Sequence, residues 1–254
     1  MRKGVMERFR SFDGVELAYS DSSGGGEPLV LLHDFTTSSR IDWVETGVCS
    51  SLVKKGLRVI MLDARGHGES EKPHASYSYW NRAMAKDVNA LSMHLGLDKY
   101  GLMGYSMGAK VAIEAALMYE RIKRLVLVGL AIYESDWWYN EAERSVRIKN
   151  MLGRRARKGD MYRRSADEHG GDRKAFAARL EGAILPEFTR GDLKRIRIPV
   201  LVVNGDEDEY GAAKAACCFP SGQGVTLEGD HRSVLVNKGL PAEALTFFER
   251  AGAG

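Results

Sequence analysis

Ser106 stands in Gly104-Tyr105-Ser106-Met107-Gly108, between a short apolar strand, Tyr100 to Met103, and a small-residue helix carrying Ala109, Val111, Ala112, Ile113, Ala115, Ala116 and Leu117. Passing from strand to helix across one residue forces that residue into a tight, strained turn. The flanking glycines are needed because no side chain fits where the two elements almost touch. Such a turn lifts the hydroxyl clear of the sheet and aims the free N–H groups of the helix start at whatever binds there. This is a nucleophile elbow, and its chemistry is attack on an electrophilic carbonyl. A serine hydroxyl is a poor nucleophile at neutral pH, so a base has to stand beside it.

The elements that must hold that serine can be read in order. Val5 to Phe12 and Val15 to Tyr19 alternate as two antiparallel strands turned at Asp13-Gly14. Pro28 to His33 and Leu57 to Leu62 are continuous apolar runs, the mark of strands buried on both faces. A helix is expected over Trp43–Lys55, and another over Trp80–Leu95 with Met84, Val88, Leu91 and Leu95 on one face. After the elbow come a strand at Ile122 to Leu127, another at Ile198 to Val203 and a last one at Gly224 to Leu227. A short helix spans Ala212–Cys218, and an amphipathic helix, Pro241 to Ala251, closes the chain. Strand and helix alternate, which predicts a mainly parallel α/β sheet with helices on both faces.

Three segments then identify a family. A strand ending His33-Asp34-Phe35, a strand ending Asp63-Ala-Arg-Gly-His-Gly-Glu-Ser70, and Gly-Tyr-Ser-Met-Gly resemble the α/β-hydrolase superfamily over nearly the whole chain. The resemblance implies a triad in the chain order Ser106, Asp208, His231, with Ser106 as nucleophile, His231 as base and Asp208 orienting the imidazole. Asp208 follows Gly205 in the Gly-x-x-Asp pattern of relatives, and Asp206, two residues away, competes for the same role. The implied oxyanion donors are the backbone N–H groups of Phe35 and Met107. Relatives carry glycine where this chain has Asp34, and a carboxylate near a developing oxyanion is repulsive unless its side chain turns away. Arg65 and His67 are expected to brace neighbouring loops rather than touch substrate.

No buried strand is legible from Tyr133 to Arg195. By resemblance, residues 133–195 form a helical lid inserted into a core made of 1–132 and 196–254. From Asp136 to Arg195 there are 15 Lys/Arg against 10 Asp/Glu, a balance of +5 in a chain whose total is +3. Such charges read as a solvated outer face, the sharper alternative being attraction of an anionic acyl substrate. Tyr133, Trp137 and Trp138 either line an apolar pocket or anchor the lid; with Asp34 and Tyr105 they are the candidate substrate contacts.

A chain of 254 residues with 44% hydrophobic content can bury one large core. A net charge of +3 without basic–aromatic repeats argues against nucleic acid. Three cysteines, Cys49 and the vicinal pair Cys217-Cys218 (expected as buried filler), build no disulfide framework and no metal spacing. With no apolar run at the start or elsewhere long enough for a signal or a membrane span, a soluble cytoplasmic protein is expected. The chemistry calls for a small-molecule substrate, no metal and no cofactor; oligomeric state is not legible. The leading expectation is a hydrolase of small or medium carboxylic esters or lactones. C–C bond hydrolysis of a ring-cleavage product, or a non-hydrolytic ligand-binding protein on the same fold, are the alternatives.

Overall fold

Every apolar run expected to be a strand is one, and all lie in a single sheet. The computed structural model describes residues 6–132, 140–155, 157–182 and 188–250. Strands β1 (Glu7–Arg10) and β2 (Glu16–Asp21) form the antiparallel hairpin, with Gly14 at φ 87° supplying the left-handed turn. The parallel strands are β3 (Pro28–Leu32), β4 (Arg58–Leu62), β5 (Tyr100–Tyr105), β6 (Ile122–Val128), β7 (Val200–Gly205) and β8 (Gly222–Leu227). Their order is β1-β2-β4-β3-β5-β6-β7-β8, which leaves the elbow strand β5 in the interior of the sheet.

Two apolar layers cover the two faces. One gathers Trp43, Leu52 of α1 (Val48–Lys54), and Phe247 and Phe248 of α9 (Gly239–Arg250). The other gathers Val88 and Leu91 of α2 (Ala83–His94) with Val111 and Ile113 of α3 (Met107–Met118). The helix expected at Trp43–Lys55 is split: a π-helical turn covers Arg40–Glu45, and Gly47 at φ 80° breaks the backbone before α1. Helix α2 starts three residues later than its periodicity suggests because Asn81 and Arg82 take φ values of 53° and 56°.

Between β6 and β7 the described residues are helical: α4 (Glu141–Leu152), α5 (Met161–Glu168), α6 (Arg173–Gly182) and the single turn α7 (Arg190–Leu193). Asn140 and Asp160 cap α4 and α5 through their side chains, satisfying N–H groups that the helix cannot. The basic residues of this insertion divide. Arg154, Arg155, Arg157, Lys158 and Arg164 face solvent, as expected. Arg163 does not: its buried guanidinium binds the carbonyls of Asn150 and Gly153 at 2.8 Å each and the Asp167 carboxylate at 2.8 Å. The vicinal cysteines are not the buried filler expected of them. Cys217 is exposed and Cys218 half-buried, because α8 (Ala212–Ala216) ends before reaching them.

Arg65 is fully buried and binds Asp87 through Nε and Nη2 at 2.7 and 2.6 Å, Asp13 at 2.8 Å and the Ser78 carbonyl at 2.5 Å. Burial alone would depress the guanidinium, but Asp87 and Asp13 hold it above its ordinary value. The clamp ties the β1–β2 turn, the β4 loop and α2 together, a structural role. Arg65→Met is expected to destabilise the fold by about 3–5 kcal/mol, because it strands a buried Asp87 carboxylate. Urea denaturation measures this, and a loss under 1 kcal/mol would contradict the assignment.

Candidate active site

The site forms where β5 turns into α3. A Cβ on Gly104 would lie 2.2 Å from the Gly108 carbonyl oxygen, and one on Gly108 would lie 2.2 Å from that of Leu32. Only hydrogen fits at either point, so the helix can start immediately after the strand. Ser106 absorbs the turn at φ 52°, ψ −109°, a backbone strained by roughly 1–3 kcal/mol. Its N–H is anchored on the Val128 carbonyl at 2.9 Å, fixing the tip of β5 against β6.

The loop after β3 comes next to this elbow. His33 is buried, with Nδ1 2.7 Å from the Asp34 carbonyl, while Nε2 accepts the Ala64 N–H at 3.1 Å; those two bonds select the Nδ1–H tautomer. The Asp34 N–H donates to Asp42 Oδ2 at 2.8 Å, and Thr37 Oγ1 donates to the same oxygen at 2.6 Å. The Asp34 side chain does not turn away from the elbow. Its Oδ1 accepts the Met107 N–H at 3.2 Å, so a carboxylate of the protein occupies an expected oxyanion donor. Behind it, burial and then the Asp34 charge push the Asp42 carboxyl up to about 6.

The loops after β7 and β8 supply the remaining groups. His231 Nδ1 is 3.1 Å from Asp208 Oδ1. Asp206 instead accepts the Gly229 N–H at 2.8 Å and closes the loop, so of the two competing acids only Asp208 meets the ring. Tyr105, expected to contact substrate, is buried; its hydroxyl donates to the His231 carbonyl at 2.8 Å and its ring lies 5.3 Å from the imidazole. The imidazole also covers Gly129, where a Cβ would come within 2.8 Å of Cε1. Among the described residues no hydrogen bond joins the Ser106 hydroxyl to the His231 ring. The pair is brought to the same sheet edge, with the bond between them unmade.

Burial pushes the His231 imidazolium toward deprotonation, but the hydrogen bond to Asp208 and the charges of Asp34, Asp208 and Asp230 outweigh it, leaving the pKa above its ordinary value. A general base works when neutral, so if the ring serves as one the acid limb of kcat/KM is expected above the usual histidine midpoint of about 6.5. Removing a negative neighbour lowers that pKa, so Asp34→Asn is expected to move the limb to lower pH. A pH–rate profile on both proteins checks the sign.

A second set of contacts links the insertion to both loops. Thr36 Oγ1 donates to Ser165 Oγ at 2.9 Å, Ser165 Oγ lies 3.2 Å from His169 Nδ1, and Arg232 Nη2 lies 3.4 Å from His169 Nε2. Thr36 itself sits at φ 85°, and the Phe35 ring packs 6.0 Å from Tyr162 and 5.4 Å from Phe176 of the insertion. His67 lies fully buried 4.8 Å from Phe176 and 5.1 Å from His33, bracing the loop as expected. Ser106, Met107, Asp34, Tyr105, Asp208 and His231 thus gather at one edge of the sheet. Tyr133, Trp137 and Trp138 lie outside the described residues. Asp42, Ser165 and His169 carry no sequence signal: each acts through a partner far along the chain or through an irregular turn. Among the described residues no cluster of three His, Cys, Asp or Glu could hold a metal ion, and no helix is long and apolar enough to cross a membrane.

Comparison with known proteins agrees with this geometry. Residues 27–152 match the family model described as the alpha/beta hydrolase fold. The soluble epoxide hydrolase of Corynebacterium sp. (strain C12) is 41% identical over 91 residues, 36% of this chain and 30% of that protein. The N-formylmaleamate deformylase of Pseudomonas putida is 33% identical over 147 residues, 54% of this chain and 53% of that protein. The chain therefore spans about half or less of these relatives' lengths. A thermophilic esterase from Thermogutta terrifontis superposes with a TM-score of 0.79 at 22% identity, covering 97% of this chain and 99% of that one. The mostly parallel eight-stranded sheet, the glycine-flanked elbow and these matches place the chain in the α/β-hydrolase superfamily.

Proposed function

We propose that the protein is a serine hydrolase that cleaves small or medium carboxylic esters or lactones through an acyl-enzyme on Ser106. The observation that carries this reading is the strained Ser106 backbone at the β5–α3 junction, at the sheet edge where Asp208 meets the His231 imidazole at 3.1 Å. Strain of that kind persists only where surrounding structure holds it, and here it presents a hydroxyl. His231 takes the Ser106 proton as the serine oxygen bonds to the acyl carbon, after rotation of the hydroxyl toward the ring. Asp208 keeps the proton of the neutral imidazole on Nδ1 and stabilises the cation that forms. Met107, and Phe35 from the opposing loop, supply the N–H groups for the oxyanion, each worth about 3 kcal/mol of barrier when free to act. His231 then protonates the leaving alcohol, and water repeats the cycle to release the acid. The helices of 133–195 act as a lid, a role supported by the contacts of Ser165, Tyr162 and Phe176 to the β3 loop.

Epoxide opening through an alkyl-enzyme ester, the chemistry suggested by the Corynebacterium relative's name, needs a carboxylate at the elbow, and this chain has Ser106 there. The test is labelling by a fluorophosphonate, with the modified peptide located by mass spectrometry, followed by a 4-nitrophenyl ester series of increasing acyl length. Modification at Ser106 and turnover of short esters are expected. An unlabelled Ser106 under conditions that label a control esterase would leave the ligand-binding alternative in its place.

A further inference from the structure

Asp34 is fixed at the reacting centre. Its N–H is held by Asp42, its carbonyl receives the His33 Nδ1–H at 2.7 Å, and its Oδ1 takes the Met107 N–H at 3.2 Å. With the backbone tied on both sides, side-chain rotation is what moves the carboxylate, and in the structure it sits on the N–H of the residue next to Ser106. Among the described residues no lysine or arginine pairs with it. The buried Asp42 behind it adds acidity to the same loop rather than compensation. The buried cation of the insertion, Arg163, is committed elsewhere, to Asp167 and two carbonyls. An anion so placed opposes a second anion on the same donor, yet that is what ester hydrolysis has to build there.

We propose that Asp34 is a specificity-determining residue: its carboxylate, bonded to the Met107 N–H beside Ser106, selects acyl groups carrying an ammonium on the carbon next to the carbonyl. The inference rests on the Ser106 acyl-transfer reading and deepens it. An α-ammonium draws the carboxylate off the Met107 N–H by a charge-assisted hydrogen bond, and the freed donor then receives the oxyanion formed one bond away. A neutral acyl group lacks that exchange, and an anionic one adds repulsion. Attraction of an anionic acyl group by the basic insertion is thereby disfavoured at the centre itself.

The test uses three near-isosteric 4-nitrophenyl esters: of alanine, of 2-methylpropanoic acid and of methylmalonic acid as its monoanion. They are assayed with the full chain at about pH 6.5, where an α-amine with a pKa of about 7.7 is mostly protonated. Intrinsic reactivity differs among the esters but cancels when the ratio of alanine to 2-methylpropanoic ester is compared between wild type and Asp34→Asn. That ratio is expected to fall by at least about tenfold in the variant, with the anionic ester gaining most. Asp34→Ala serves as a second variant should the amide disturb the loop. A purely structural Asp34 would change all three esters alike. An unchanged ratio in both variants, with Ser106 still labelled by fluorophosphonate, overturns the specificity role alone. Failure of wild type to label or to turn over any ester overturns the Ser106 reading and the specificity role with it.

Discussion

Alanine at position 106 is expected to lower kcat for a 4-nitrophenyl ester by about 10⁶-fold, the loss seen when the nucleophile is removed from an acyl-transfer triad. In the proposed reaction the hydroxyl is the atom that bonds to carbon, and nothing else at the β5–α3 junction replaces it. The Met107 N–H, with or without Asp34 on it, only stabilises charge. The Ser106 hydroxyl caps no helix N–H, and alanine inherits the same φ of 52° without relief of strain, so the thermal midpoint is expected to stay within a few degrees of wild type. Measuring both quantities on one preparation separates chemistry from folding. Turnover near the wild-type rate in a folded variant would remove Ser106 from the mechanism.

The second large effect concerns the glycines rather than the serine. Gly104→Ala places a methyl 2.2 Å from the Gly108 carbonyl oxygen and 2.6 Å from the Ala109 nitrogen, both backbone atoms that cannot rotate away. Gly108→Ala meets the Leu32 carbonyl at the same distance, on the central strand β3. Relief requires α3 to move off the sheet, uncovering Val111, Ala112 and Ile113, all now buried. Losing even part of that packing is expected to cost about 3–5 kcal/mol or to prevent folding. Urea titration of each variant measures the loss. Glycines at open positions such as Gly159, with nothing within 4 Å of an added Cβ, provide the contrast, although a φ of 85° there still carries backbone strain.

How far each feature was legible follows from the range of the interaction that fixes it. The strands at Leu29 to Leu32, Val59 to Leu62 and Val200 to Val203 are continuous apolar runs because both faces of an interior parallel strand are covered, so their burial is written locally. The elbow was equally legible: Gly104 answers a clash with Gly108 only four residues on, although the partner of Gly108, the Leu32 carbonyl, lies on a distant strand. Helix starts were less so: Gly47 and Asn81 are types that tolerate a left-handed turn, but type alone does not say that these turns are taken, delaying α2 and splitting the first helix. The inward turn of Arg163 was hidden for a similar reason, as its acceptors are carbonyls, which every residue carries.

By itself, the sequence determined the class of sheet, the position of the strained elbow serine and the presence of an acidic oddity at residue 34, because periodicity, steric need for glycine and residue type are local properties. Only the tertiary structure decided between Asp206 and Asp208, since both leave the same strand tip and differ solely in what lies across the gap: a backbone N–H for one, the imidazole for the other. It alone set Tyr105 under the His231 carbonyl, and joined the Asp34 carboxylate to Met107, 73 positions away. Hydrogen bonds between distant loops depend on where the sheet edge brings them, and that placement is a property of the whole packed core rather than of any stretch of chain.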